Sequence, residues 1–159
     1  MIVKKSYSFM SSDVFPAAFY ITNPNNHLIN NRAHGSERYG FQYDLGDSVK
    51  EVNRDSTICP SGIPLGIFYG NKATSNQFYG LKIPENYHPR TKPCEDTRFD
   101  YSDAAEPAPY GSNKPICAVF EELSCVRNSR SCVISDAKGC VQFKDIKAIE
   151  SGKVHIEVS

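Results

Sequence analysis

The hydrophobic and polar positions of this chain repeat in a sixteen-residue window that occurs four times. The windows cover residues 28–43, 68–83, 120–135 and 143–158 and align without a gap. One column of the alignment is always large and apolar, a second is small, and a third is of medium size. These columns read Leu28, Phe68, Phe120, Phe143; Ala33, Ala73, Cys125, Ala148; and Phe41, Leu81, Val133, Ile156. Such a recurrence predicts a solenoid, because each coil of a solenoid packs only on its neighbours.

Within the windows the apolar residues are spaced two apart, as in Phe41/Tyr43 and Leu81/Ile83, which is the period of a β-strand. The last two windows start 23 residues apart, the length of a bare coil. We therefore expect an all-β fold, a right-handed single-stranded parallel β-helix that forms one domain over residues 1–159. Its coils would stack about 4.8 Å apart.

The longer intervals between windows hold two insertions, residues 44–64 and 84–115. Both are polar. The first holds two glycines and two prolines, and the second holds six of the ten prolines and a mixed charge cluster. They are expected to be long loops that leave a regular stack.

Two kinds of polar position recur at the coil spacing. Ser36, Asn76, Asn128 and Ser151 form one column, in which stacked side chains are expected to hydrogen-bond along the coils. The pairs Arg127/Glu150 and Glu121/Lys144 are one coil apart and opposite in charge, so they predict surface ion pairs.

Composition excludes some classes of partner. Lys plus Arg and Asp plus Glu both number 18, so no net charge recruits nucleic acid. No stretch approaches the roughly 20 apolar residues of a membrane span, and we expect no direct membrane insertion. The first residues lack the apolar core of a secretory signal. That leaves a cytosolic protein or a fragment of a larger secreted one, and six cysteines favour the second.

The cysteines suggest two disulfides. Cys117 and Cys140 are one coil apart and would lie within disulfide distance, although two stacked thiols would also fit. Cys59 and Cys94 flank the second coil, where a bond would tie both insertions down. Cys125 is interpreted as a buried small apolar residue. Cys132 belongs to a different column and need not meet it.

Chemistry-bearing residues are sparse. The four histidines fall at unrelated positions, so neither a metal site nor a cofactor is predicted. Asp44 and Asp47 are candidate catalytic acids, as are residues 95, 96 and 100, but none lies in a glycosidase motif.

A carbohydrate surface is the main binding hypothesis. Tyr39 and Tyr79 share a column beside Arg38, and His34 could extend the strip; aromatic faces and a guanidinium suit sugar rings and sugar carboxylates. The alternative is that both tyrosines are half-buried sheet residues.

Several stretches resemble a known family. PAAFYITNPNNHLINNRAHGSERYGFQYDL (16–45) and CPSGIPLGIFYGNKATSNQFYGLKI (59–83) are similar to the β-helix region of fibrocystin, fibrocystin-L and the cell-surface hyaluronidase and hyaluronan-binding migration proteins. Departures include Thr74, where that family usually has histidine, and Cys132 and Cys140, where it usually has glycine and histidine.

The resemblance implies a segment of a large extracellular or membrane-anchored protein. Its expected role is structural or adhesive, presenting loops to a protein or to a hyaluronan-like glycan. The alternative implied by the same family is a hyaluronan-degrading or hyaluronan-binding domain.

Overall fold

The computed structural model describes residues 15–48, 55, 57–95, 113–152 and 154–158. These residues form thirteen short strands and a single 3-10 turn, Pro60–Gly62. The strands are β1 (Ala17–Ile21), β2 (Leu28–Ile29), β3 (Arg32–His34), β4 (Tyr39–Tyr43), β5 (Phe68–Tyr69), β6 (Lys72–Thr74), β7 (Tyr79–Ile83), β8 (Ala118–Glu121), β9 (Ser124–Val126), β10 (Ser131–Ser135), β11 (Val141–Lys144), β12 (Lys147–Ile149) and β13 (Val154–Val158).

Each coil contributes one strand to each of three sheets. The sheets have the orders β1-β4-β7-β10-β13, β11-β8-β5-β2 and β12-β9-β6-β3. All strand pairs within them are parallel. The predicted all-β fold of stacked parallel coils is therefore confirmed, whereas its right-handed sense stays a prediction.

The strand register matches the columns read from the sequence. Phe68 is paired with both Leu28 and Phe120, and Phe120 is paired with Phe143. The Phe68 and Phe120 rings are buried and lie 5.2 Å apart between centroids. Burying a side chain of this size contributes about 1.5–3 kcal/mol before the entropy cost of ordering it. The aligned phenylalanines therefore form the continuous spine of the core.

Two columns of left-handed backbone make the corners between sheets. In the first, the residue after each short strand of the β2–β5–β8–β11 sheet has positive φ: Asn30, Gly70, Glu122 and Asp145. In the second, the same holds after the β3–β6–β9–β12 sheet: Gly35, Ser75, Arg127 and Glu150. The left-handed region is reached at low cost mainly by glycine. Non-glycine residues adopt this conformation at the same position of successive coils, which shows that stacking of the coils fixes the backbone at the corner.

The polar column forms the predicted hydrogen-bond ladder. The Asn76 backbone N–H and the Asn76 Nδ2 both donate to Asn128 Oδ1, at 3.1 and 2.9 Å. The Ser36 N–H donates to Asn76 Oδ1 at 3.1 Å, and the Asn128 N–H donates to Ser151 Oγ at 3.2 Å. These side chains satisfy backbone groups at a buried corner that the strands leave unpaired.

The described parts of the two insertions pack against each other at their roots. The Ser61 N–H donates to the Gly46 carbonyl at 3.1 Å, and the His88 N–H donates to the Ser61 carbonyl at 2.8 Å. The Cys59–Cys94 disulfide joins the two insertions, as predicted. The tips, residues 49–54, 56 and 96–112, lie outside the described residues.

The remaining cysteines form two bonds within the third and fourth coils. Cys117 and Cys140 are bonded with their Cα atoms 4.5 Å apart, which confirms the one-coil spacing argument. Cys125 is buried, as expected, and it is also bonded to Cys132, a disulfide that was not predicted. The two lie in different columns, but the corner between β9 and β10 brings their Cα atoms to 5.3 Å. Gly80 leaves the space, because a Cβ at that position would lie 2.6 Å from Cys125 Sγ.

Candidate functional site

The most distinctive surface feature is a column of alternating aromatic and cationic side chains, which we call the cation–aromatic ladder. Its column is formed by Arg38, Phe78 and Arg130, and Phe15 and Lys82 join it from neighbouring positions. The Arg38 guanidinium carbon lies 4.5 Å from the Phe15 ring centroid and 4.9 Å from that of Phe78. The Arg130 guanidinium carbon also lies near Phe78, 4.5 Å from its ring centroid. Each guanidinium therefore lies against an aromatic ring, within the range of cation–π attraction.

The ladder is positioned by the stack. The Phe78 N–H donates to the Arg38 carbonyl at 2.9 Å, and the Arg130 N–H donates to the Phe78 carbonyl at 2.9 Å. Both residues lie immediately before strands of the long sheet, β7 and β10, so their side chains repeat at the coil spacing. Arg38 and Arg130 are two coils apart, which places them about 9.6 Å from each other along the stack.

The cations of the ladder lack carboxylate partners among the described residues. No ion pair there involves Arg38, Lys82 or Arg130. Elsewhere on the coils the predicted ion pairs do form: Arg127 Nε lies 2.7 Å from Glu150 Oε2, and Lys144 is paired with Glu121. The Glu150 carboxylate raises the pKa of Arg127 through a hydrogen bond and its charge. The ladder is therefore a strip of positive charge on a chain with no net charge.

The structure divides the residues predicted for a sugar surface. Arg38 belongs to the ladder. Tyr39 and Tyr79 stack on each other with their ring centroids 6.1 Å apart, but each is only 5% exposed, so little of either ring is open to a ligand. Lys82 Nζ covers the Tyr39 ring at 5.2 Å. His34 is exposed on β3, in register with Thr74 of the neighbouring coil, and belongs to a different sheet from the ladder strands.

The candidate acids lie at the other end of the same strand. Asp44 follows β4 and accepts a hydrogen bond from the Tyr20 hydroxyl. Asp47 accepts hydrogen bonds from Ser61 Oγ at 2.9 Å and from Asn86 Nδ2 at 3.2 Å. At about 3.3 Å per residue of strand, Asp44 is about 15–20 Å from Arg38. The acids and the ladder therefore do not form one site.

The remaining candidates do not converge on a cofactor. Glu95 is exposed and paired with Lys92 Nζ at 2.7 Å, and residues 96 and 100 lie outside the described residues. Within the described ranges, no group of three or more His, Cys, Asp or Glu side chains is placed to hold a metal ion. No helix in that part of the chain is long and apolar enough to cross a membrane.

A shallow cleft lies beside the disulfide that joins the insertions. It is lined by Thr57, Ile58, Cys59, Ile63, Lys92, Pro93, Cys94 and Glu95. Ile58 is exposed at its edge. This part of the surface, which we call the insertion platform, combines apolar side chains with one ion pair.

Two buried tyrosines lie where β4 leads into the first insertion and where the second insertion starts. Burial raises the pKa of Tyr43 and of Tyr87, and the charge of Tyr87 adds to the effect at Tyr43. Neither hydroxyl has a hydrogen-bond partner among the described residues. These groups are neutral at ordinary pH and offer no acid–base chemistry there.

Sequence reasoning missed Phe15, Lys82 and Arg130 as members of a surface site. A signal for Arg130 was present, because Arg38, Phe78 and Arg130 occupy the same position of successive windows. The next residue in that column, at position 153, lies outside the described residues. Phe15 and Lys82 had no such signal, since they reach the ladder from outside its column.

Comparison with known proteins gives the family. The family model described as CEMIP beta-helix matches residues 3–81. Mouse (Mus musculus) fibrocystin-L is 32% identical over 158 residues, 99% of this chain and 3% of that protein. Human (Homo sapiens) fibrocystin-L is 37% identical over 98 residues, 61% of this chain and 2% of that protein.

A second group of relatives carries a named activity. The cell surface hyaluronidase of Danio rerio is 30% identical over 127 residues, 71% of this chain and 9% of that protein. The chain thus spans only a small part of the length of each relative. It belongs to the CEMIP beta-helix family and is homologous to fibrocystin-L and to the cell surface hyaluronidases over most of its length.

Proposed function

We propose that this chain is an extracellular β-helix segment with a structural and adhesive role, a rigid stack that presents the insertion platform to a partner. The observation that carries the proposal is the way in which the platform is fixed. Cys59–Cys94 closes 35 residues of chain around the second coil, and backbone hydrogen bonds join both insertion roots to each other. A disulfide of this kind contributes about 2–4 kcal/mol, chiefly by restricting the unfolded chain.

An extracellular location is part of the proposal. Every cysteine that the chain contains is in a disulfide, and structural disulfides persist in oxidising compartments. One relative is named for its place at the cell surface. These observations support secretion or display as part of a larger protein.

Hyaluronan cleavage is the alternative that the name of the Danio rerio relative suggests. Two of its candidate acids among the described residues, Asp44 and Asp47, belong to different hydrogen-bonded groups. Asp44 accepts from Tyr20 of β1, whereas Asp47 accepts from Ser61 and Asn86 at the insertion roots. Separate partners therefore hold the two carboxylates, which does not favour their acting as the pair that hydrolysis of a glycosidic bond uses. We therefore propose a non-catalytic segment.

The experiment that tests this function separates adhesion from cleavage. Beads coated with the 159-residue chain are applied to epithelial cells, and attachment is compared with that of a Cys59→Ser/Cys94→Ser variant. We expect the wild-type beads to attach and the variant beads to attach less, because the platform is released while the coils remain folded. The Arg127→Gln variant, which changes an exposed side chain far from the platform in sequence, is the control and should attach as the wild type does.

The same preparation is incubated with high-molecular-weight hyaluronan and the polymer is sized. Unchanged polymer length supports the proposal. Shortening that disappears in Asp44→Asn or Asp47→Asn would establish the enzymatic alternative.

A further inference from the structure

The cation–aromatic ladder has the geometry of a binding site for a linear anionic polymer. Its rungs repeat once per coil, about every 4.8 Å, and alternate between a cation and an aromatic ring. Successive sugars of an extended pyranose polymer recur at a spacing of the same order as that between coils, so one sugar would lie opposite each rung. Anionic groups on alternate sugars would then face the two arginines, and the sugar between them would face Phe78.

An extended peptide matches this spacing less well. Its side chains on one face recur every two residues, about 6.6–6.8 Å, whereas the two arginines are about 9.6 Å apart. Successive acidic side chains of a peptide strand would therefore fall out of step with the ladder. The repeat distance favours a polysaccharide over an acidic protein segment.

The charge density of the site discriminates among anionic polysaccharides. Arg38, Lys82 and Arg130 fall within two coil steps, and no carboxylate neutralises them among the described residues. A polymer such as hyaluronan brings one carboxylate per disaccharide over that length. A sulfated uronate polymer brings two or more anions, and guanidinium groups form paired hydrogen bonds to sulfate as they do to carboxylate.

We propose that the ladder binds a sulfated, uronate-containing polysaccharide, with Arg38 and Arg130 contacting anionic groups of alternate sugars across Phe78. This rests on the proposed extracellular role, since such polymers are displayed outside cells. Because the guanidinium planes are already held against Phe15 and Phe78, little side-chain freedom is lost when the polymer binds. Because the chain has no net charge, the attraction would depend on local groups of cations such as this strip and not on the total charge.

The test measures the affinity of the full chain for size-defined heparin oligosaccharides by titration calorimetry in 0.15 M salt. The variants are Arg38→Gln, Arg130→Gln and the double variant. Arg127→Gln is the matched control: it removes the same charge three residues from Arg130, in the same turn, but from an arginine that is paired with Glu150. We expect a loss of about tenfold for each ladder arginine and at most twofold for the control.

Two further titrations identify the class of ligand. Hyaluronan oligosaccharides of equal length should bind at least about tenfold more weakly than the sulfated ones, and polyglutamate should bind more weakly still. Equal affinity for hyaluronan would overturn the assignment to sulfated polymers, and equal affinity for polyglutamate would point to an acidic protein instead.

The readouts distinguish this proposal from the proposed function. Circular dichroism and a thiol count establish for every variant that the β-structure and the three disulfides are intact. A wild-type chain that is folded, attaches to cells and does not bind heparin would overturn the ladder site while leaving the adhesive role in place. A control variant that loses as much affinity as Arg130→Gln would also overturn it, because binding would then follow total charge.

Discussion

The columns inside the stack and the columns on its outer face follow the same coil spacing but are selected by different physics. Inside, Phe68 and Phe120 are buried in van der Waals contact, and a change of volume at any rung is felt by its neighbours. Outside, Arg127 is neutralised by Glu150 one coil away, whereas the Arg38 guanidinium packs against the Phe15 and Phe78 rings and has no carboxylate partner among the described residues. Repetition therefore stabilises the fold inside, while outside it leaves positions at which chemistry can vary without cost to the core.

Substitutions in the inner columns should lower the free energy of unfolding most. Phe120→Ala should lower the free energy of unfolding by about 3–5 kcal/mol, because the side chain is buried and lies between two other aromatic rungs. Val119→Ala is the matched control on the adjacent, outward-facing position and should cost about 0.5 kcal/mol or less. Urea unfolding monitored by circular dichroism measures both. Equal losses would mean that Phe120 is not a rung of the core.

Removing the bond at the corner of the third coil should have the next largest effect. The Cys125→Ala/Cys132→Ala variant should lose about 2–4 kcal/mol, because both residues are buried and their bond fixes the passage from β9 to β10. Thermal unfolding in the absence of reductant compares it with the wild type. If the two melt together, the bond does not support the stack.

Removing the buried hydroxyl of Tyr43 should raise the stability of the protein. Tyr43→Phe should stabilise the protein by about 1 kcal/mol at neutral pH, because the hydroxyl is buried with no hydrogen-bond partner among the described residues. Tyr20→Phe is the control, since that hydroxyl donates to Asp44 on the surface. A loss of stability in Tyr43→Phe would show that the hydroxyl has a partner.

The same tyrosine determines the behaviour at alkaline pH. Its pKa in the folded state is raised above the ordinary value of 10.0, so the unfolded chain gives up this proton first. Stability should hold below pH 10 and fall as the pH rises above it, and Tyr43→Phe should weaken that fall. Urea midpoints measured between pH 8 and pH 11 test the sign.

The smallest effect belongs to the neutralised outer column. A double-mutant cycle on Arg127 and Glu150 should give a weakly favourable coupling that decreases as salt is added, because both side chains are largely exposed. Neither single change should alter binding of the sulfated polysaccharide. A coupling that is large or independent of salt would show that this outer column contributes to stability as the inner columns do.

Much of the fold was predictable because the inner columns repeat. Phe68, Phe120 and Phe143 are recognisable in the sequence, and their alignment alone gives the strand register that the structure contains. The Cys117–Cys140 bond followed from the same spacing. Repeated burial leaves a clear trace in sequence because few residue types fill the same space.

The corners between sheets and the cation–aromatic ladder are harder to recognise in the sequence. Left-handed backbone recurs at Asn30, Gly70 and Glu122, which share no side-chain property, so the corner columns could not be read from residue type. Cys125 and Cys132 meet because the chain turns between them, a geometry that column positions do not encode. Tyr39 follows the alternative interpretation of a sheet residue, since it is buried and Lys82 covers its ring from the adjacent coil.

Disulfide mapping of the native, unreduced chain shows directly whether successive coils stack in register. Digestion with trypsin and a glutamate-specific protease separates Cys117 from Cys125, because Glu121 and Glu122 lie between them. In-register coils predict peptides that join Cys117 to Cys140, the same position of consecutive coils, together with Cys125 joined to Cys132. Peptides that join Cys117 to Cys125 or Cys132, or a Cys140 that carries a free thiol, would contradict the stacked register on which the account depends.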